Sequence, residues 1–236
     1  MNHPTANSAD SSRIAVPPQA DRAAPRFRTL LWILGVVALA ATWLGPLPHW
    51  AGHSFFAHMT MHMAIVAVAA PLLAIAWAGS NSDPVREAPL LFSPIPASVA
   101  ELVIVWAWHA PVLHHLARHT TWGFAIEQGS FLLAGLWVWL SAFGGPLPRS
   151  GSRAAQGVIG LLLTSMHMTL LGALLALSPR LLYAHHHGGG YLSPLEDQHL
   201  GGAVMLLVGG VAYLWGGIYL TWELLKGRRS KLGGIS

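Results

Sequence analysis

From residue 29 onward the chain alternates between long apolar runs and short polar breaks, and most of the runs approach or exceed the roughly 20 residues that a helix needs to cross a bilayer. The runs fall at about 29–45, 55–78, 96–113, 122–143, 155–178 and 194–226, and the breaks are rich in Gly, Pro and His. This pattern predicts an all-α fold, a polytopic transmembrane helix bundle of about six spans over residues 28–228. Residues 1–27 are polar and proline-bearing, too poor in apolar side chains to support a packed fold, and read as a disordered tail. Residues 229–236 read as a short basic tail. The first run is the shortest, and its Ala38-Leu39-Ala40 resembles the small-residue cleavage site of a signal peptide. The polar stretch before it is longer than a signal peptide allows, which favours a retained helix.

The last run has a clear start. Ser193-Pro194-Leu195-Glu196 places a capping hydroxyl before a first-turn proline, with a carboxylate at the third helical position. Composition agrees with the pattern. Of 236 residues, 53% are hydrophobic and 9% charged, too few charges to cover a water-facing surface. Cysteine is absent, which excludes disulfides, iron–sulfur ligation and thiolate metal chemistry. The net charge of +4 does not indicate nucleic acid, because the basic residues are confined to the termini and a few loops.

Those basic residues instead suggest an orientation. With the N-terminus in the cytoplasm, Arg13, Arg22, Arg26, Arg28, Arg86, Arg149, Arg153, Lys226, Arg228, Arg229 and Lys231 fall inside, and only Arg118 and Arg180 fall outside. Both termini are therefore expected in the cytoplasm, with the loops at about 46–54, 114–121 and 179–193 on the far side of the inner membrane. The histidines sort the other way. Of fourteen, only His3 is placed inside; His49, His53, His58, His62, His109, His114, His115, His119, His185, His186, His187 and His199 lie in outer loops or outer helix halves, and His167 lies near mid-membrane. Imidazole is the commonest metal ligand, so this distribution predicts a metal-binding outer face.

The second run opens with His58-Met59-Thr60-Met61-His62-Met63, where helical spacing stacks His58 over His62 and Met59 over Met63. The fifth run carries Met166-His167-Met168. Thioether sulfur with imidazole nitrogen selects copper, most readily copper(I). Methionine is also a flexible core filler, and a membrane histidine often only bonds a neighbouring backbone group. His109, in Trp106-Ala107-Trp108-His109-Ala110-Pro111, illustrates the second case: Pro111 cannot donate to the Ala107 carbonyl, which the ring is free to bond instead. Glu127 and Asp197 are acids in or at the outer apolar half, where ionisable groups are functional candidates. Asp197, Gly201 and Met205 share one helix face, and Gly201 and Gly202 also suit close helix packing. Glu101, on the inner half of the third run, is expected to pair with a basic loop residue. The His185–His187 tract, followed by three glycines, suits indiscriminate metal capture or is simple low-complexity sequence.

His58-Met59 with His62, then Ala70-Pro71-Leu72-Leu73, Trp108-His109-Ala110-Pro111, His167, and Leu195-Glu196-Asp197-Gln198 leading to Gly201 and Met205 occur in one collinear order. Together they resemble the CtaG-like membrane family of cytochrome c oxidase assembly factors, from about His49 to Leu225. The resemblance implies a metallochaperone-like role in maturing a haem–copper oxidase, by handling copper and without turning over a substrate. It implies functional roles for His58, His62, His109, His167 and Asp197; with the neighbouring sulfurs of Met59, Met166, Met168 and Met205 these make the expected metal set. The implied partners are the lipid bilayer and an oxidase subunit or a copper-delivery protein, with no nucleic acid; a homo-oligomer is left open. The chain departs from the family in carrying Leu206 where a Trp is common and Glu127-Gln128 where a histidine is frequent. A b-type cytochrome with bis-histidine haem ligation and a metal transporter are the alternative readings.

Overall fold

The computed structural model describes residues 23–147, 149–183 and 192–232. The His185–His187 tract, most of the expected N-terminal tail and the last four residues lie outside them. The described residues are helical, without strands. In chain order the helices are α1 (Ala23–Leu44), α2 (Leu47–Ala51), α3 (Phe55–Met63), α4 (Ala70–Trp77), α5 (Pro84–Glu87), α6 (Pro94–Trp108), α7 (Pro111–His119), α8 (Thr121–Phe143), α9 (Gly151–Ala176), α10 (Pro194–Val204) and α11 (Gly210–Leu232). A π turn, Ala64–Ala69, joins α3 to α4, and a second, Met205–Gly209, joins α10 to α11. Five helical stretches are long and apolar enough to cross a membrane, and the bent pair α6–α7 makes a sixth if counted as one span. The chain is a multi-pass membrane protein.

The α3–α4 span is central and mostly buried, whereas α1 lies at the periphery and is mostly exposed. Its π turn has a local cause. Ala70 N–H bonds the carbonyl of Ile65, so in the same register Val66 awaits residue 71, a proline without an N–H. The Trp139 indole, from α8, donates to that Val66 carbonyl at 3.0 Å. The run expected at 96–113 is not one straight helix. It breaks between Trp108 and Pro111 with a 72° bend, because Pro111 starts a new helix that runs across the end of the bundle.

Two ends of the bundle can be told apart. At one, the Arg28 guanidinium on α1 donates to the carbonyls of Ala76, Trp77 and Ala78, satisfying the orphan end of α4, and Arg149 pairs with Glu223 at 2.6 Å. Buried Asp83 stitches the loops there, accepting from Gly79 N at 2.6 Å, Gly145 N at 2.7 Å and Val85 N at 3.0 Å. Gly79 (φ +69°) and Gly145 (φ +95°) take the left-handed backbone that this crossing requires. At the other end lie α2, α7, the start of α3 and the start of α10. Ser193 and Glu196 form the expected capping box on α10. Between the ends, α6 and α9 run parallel: Gly160 lies against Pro94, the Thr164 hydroxyl donates to Ser98 at 2.9 Å, and His167 faces Glu101.

Candidate metal centre

Helix α3 is held at its start by two caps. The Ser54 side chain accepts from Ala57 N, and Asp197, reaching across from the first turns of α10, accepts from Ser54 Oγ at 2.6 Å, Phe55 N at 2.6 Å and Phe56 N at 3.3 Å. A carboxylate on the exposed N–H groups of a helix start is stabilising, by about 0.3–2 kcal/mol. Asp197 therefore positions the histidine-bearing helix; its three bonds are to the start of α3. Gly201, one turn below it, lets Phe55 lie directly on α10, where a Cβ would come within 2.5 Å of the ring.

One and two turns into α3, His58 and His62 present their rings on one face, with Nε2 atoms 2.8 Å apart. Glu127 of α8 points between them, its Oε1 3.4 Å from His58 Nε2 and 3.7 Å from His62 Nε2. All three side chains are fully buried, and Glu127 Oε1 makes no hydrogen bond among the described residues. A point equidistant from three atoms at those separations is about 1.9 Å from each, close to the roughly 2.0–2.2 Å of metal bonds to imidazole and carboxylate. By separation the three converging atoms fit one ion; with Arg118 donating to His58 Nδ1, the neutral His58 ring carries its proton on Nε2 and donates it to His62 Nε2, and an ion at this point would displace that proton.

His109 sits at the bend between α6 and α7. Its Nδ1 lies 2.7 Å from the Val105 carbonyl, which can only accept, so the ring proton is on Nδ1 and the Nε2 lone pair faces inward. That lone pair meets the Met59 sulfur at 3.5 Å, and the His109 ring lies 5.8 Å from that of His62. The carbonyl bonded by the ring is Val105, not Ala107 as the proline suggested; Ala107 is satisfied by Ala110 N at 3.0 Å. Two acceptors facing each other have no proton to share, and a soft cation is what imidazole nitrogen and thioether sulfur jointly hold.

Helix α7 roofs the cluster. Its Arg118 donates to His58 Nδ1 at 2.8 Å, and buried His114 packs edge-on against the His58 ring at 5.1 Å. His115 and His119 lie on its exposed side. Tyr183, in the loop after α9, stacks on Phe55 at 4.7 Å and donates its hydroxyl to the His109 carbonyl at 2.6 Å. Burial pushes the Tyr183 phenol up to about 12, which keeps it a donor.

The structure thus brings together His58, His62, Glu127, His109 and Met59. Asp197 braces them from the end of α3. Met166, 68% exposed, faces outward from the bundle, whereas Met168 and Met205 are buried in the core. His167 faces Glu101 at 4.0 Å, apart from the His58–His62 pair. Glu101 does not meet a basic loop residue as expected. It is fully buried eight residues along α6 from His109, about 12 Å deeper at 1.5 Å per residue, and its Oε1 accepts from the Tyr213 hydroxyl at 3.0 Å. Arg118 and His114 were legible only as outer polar residues; nothing in the sequence showed that a bent helix folds them over His58.

The family model described as cytochrome c oxidase caa3 assembly factor (Caa3_CtaG) matches residues 13–227. The chain belongs to this family. No curated protein and no solved structure matches it. Membership agrees with the resemblance seen in the motifs, and the matched range takes in every residue of the centre described above.

Proposed function

We propose that this protein is a copper-binding assembly factor that handles copper for the maturation of cytochrome c oxidase, with no substrate turnover of its own. The observation that carries the reading is the convergence of His58 Nε2, His62 Nε2 and Glu127 Oε1 on one ion-sized point inside a membrane bundle of an oxidase-assembly family. His109 Nε2 and Met59 Sδ adjoin it as a nitrogen–thioether pair suited to copper(I). In this reading the centre opens to the extracytoplasmic side of the inner membrane, both termini are cytoplasmic, and the partner is an oxidase subunit or a copper-delivery protein. A haem is disfavoured. As axial ligands, His58 or His62 would have to pair with His109 or His167 across an open slot, but His109 Nε2 faces the Met59 sulfur at 3.5 Å and His167 Nε2 faces Glu101 at 4.0 Å.

The test is copper per chain in purified protein, together with oxidase activity in cells. His62→Ala is expected to remove stoichiometric copper and oxidase activity while the protein remains inserted and folded. Glu127→Gln, which keeps the shape and removes the charge, is expected to lower copper affinity by roughly 10-fold or more. Full copper in His62→Ala, with loss on deletion of His185–His187, would move the metal to that loop.

A further inference from the structure

A second group of polar side chains lies deeper in the bundle. Glu101 on α6, His167 on α9 and Tyr213 on α11 come from three helices and are buried, with exposures of 0%, 5% and 1%. Tyr213 satisfies Glu101 Oε1, but Oε2 and both ring nitrogens of His167 have no hydrogen-bond partner among the described residues. A carboxylate oxygen and an imidazole without a hydrogen bond in a low-dielectric interior are costly, and ionisable groups within spans mark functional sites. Their spacing is also specific. His167 Nε2 and Glu101 Oε2 are 4.0 Å apart, too far for a hydrogen bond and about 0.7 Å wider than two ligands on tetrahedral bonds of roughly 2.0 Å, so a small side-chain approach would let both hold one ion.

We propose that Glu101 and His167, with the Tyr213 hydroxyl alongside, form a second metal site that takes a divalent first-row transition ion. Imidazole nitrogen with carboxylate and phenol oxygen is a harder set than the His109–Met59 pair, which directs the site to ions such as Zn2+, Co2+ or Cu2+ rather than copper(I). One turn away on the same two helices, Thr164 and Ser98 bond each other at 2.9 Å and hold α6 and α9 in register. Methionine sulfurs lie between the two groups. Met59 touches His109; one turn on, the Met63 sulfur lies over Gly209 in the second π turn, where a Cβ would be 3.7 Å from it, and Tyr213 follows one turn further. The site is built from residues distinct from the copper cluster and stands or falls independently of it.

Co2+ is the probe, because its visible absorption reports imidazole and oxygen ligation directly. The first centre is disabled by His62→Ala with Glu127→Gln, His185, His186 and His187 are replaced by Ala to remove the metal-capturing tract, and Co2+ per chain, absorption and Tm are measured in the purified full chain. One Co2+ per chain is expected, with a Co2+-dependent rise in Tm. Both are expected to vanish in Glu101→Gln and in His167→Gln, and affinity to fall about 10-fold in Tyr213→Phe. If the protein lacking the first centre binds no Co2+ and shows no rise in Tm, the proposal is overturned without recourse to any inner variant. Retention of Co2+ in both Glu101→Gln and His167→Gln overturns it equally. Copper(I) binding by wild type under reducing conditions reports separately on the first centre.

Discussion

Single substitutions separate the side chains that line the candidate metal centre from one that acts on it through the placement of a helix. Asp197 binds the first turn of α3 through three hydrogen bonds, so in the proposed copper reading it acts through the placement of His58 and His62. Asp197→Asn keeps the volume and weakens the anionic cap. It is expected to cost about 0.3–2 kcal/mol in stability and to lower copper affinity by roughly 10-fold, measured by thermal melts and by titration against a competing copper(I) chelator. Unchanged copper affinity in a destabilised protein would make Asp197 a purely structural cap. The methionines separate by exposure. Met59→Leu removes the sulfur that faces His109 and is expected to weaken copper(I) binding, whereas Met166→Leu, at a side chain 68% exposed, is expected to leave it unchanged. The same chelator titration on both variants decides between them.

At the scale of elements, the contact between α9 and α10 depends on close backbone approach. At Gly202 a Cβ would sit 2.7 Å from the Gly172 carbonyl oxygen and against the backbone of Ala176, atoms that cannot move without separating the helices. Gly202→Val is therefore expected to destabilise by about 1–3 kcal/mol or more, and to weaken copper binding too, because α10 carries Asp197. Gly217→Ala, on α11 where a Cβ meets nothing within 4 Å, is the matched control and is expected to hold or raise Tm. A Gly202→Val protein with wild-type Tm would mean that α9 and α10 do not touch there. The bend between α6 and α7 is a second element-level device. It ends α6 at the level of the cluster and turns α7 so that Arg118 and His114 cover His58.

For the whole molecule, Arg28, Arg149 and Glu223 gather at one end of the bundle, while the His58–His62–Glu127 cluster lies toward the other. With the first end in the cytoplasm, as the bias of basic residues directs, reporter fusions at residues 50, 118 and 188 are expected to score as extracytoplasmic and a fusion at the C-terminus as cytoplasmic. Cytoplasmic activity at residue 188 would invert or break this topology.

What the sequence determined by itself is what depends on local chemistry. Long apolar runs specify spans, because every backbone polar group in lipid must be bonded within its own segment. Ser193-Pro194-Leu195-Glu196 specifies a helix start, and His58 and His62 share a face because an α-helix repeats every 3.6 residues. Helix rotation and partner choice were decided only in three dimensions. In a soluble helix a polar stripe marks the outward face, but here Leu133, Leu162 and Met166 face outward and are as apolar as the core, so the pattern carries little record of which side turns inward. That rotation brought Glu127 between His58 and His62, sent Met166 outward and set Glu101 opposite His167. The bend at Pro111 then placed Arg118 on a histidine sixty residues earlier in the chain. Such pairings come from the packing of one helix against another, which no single segment encodes.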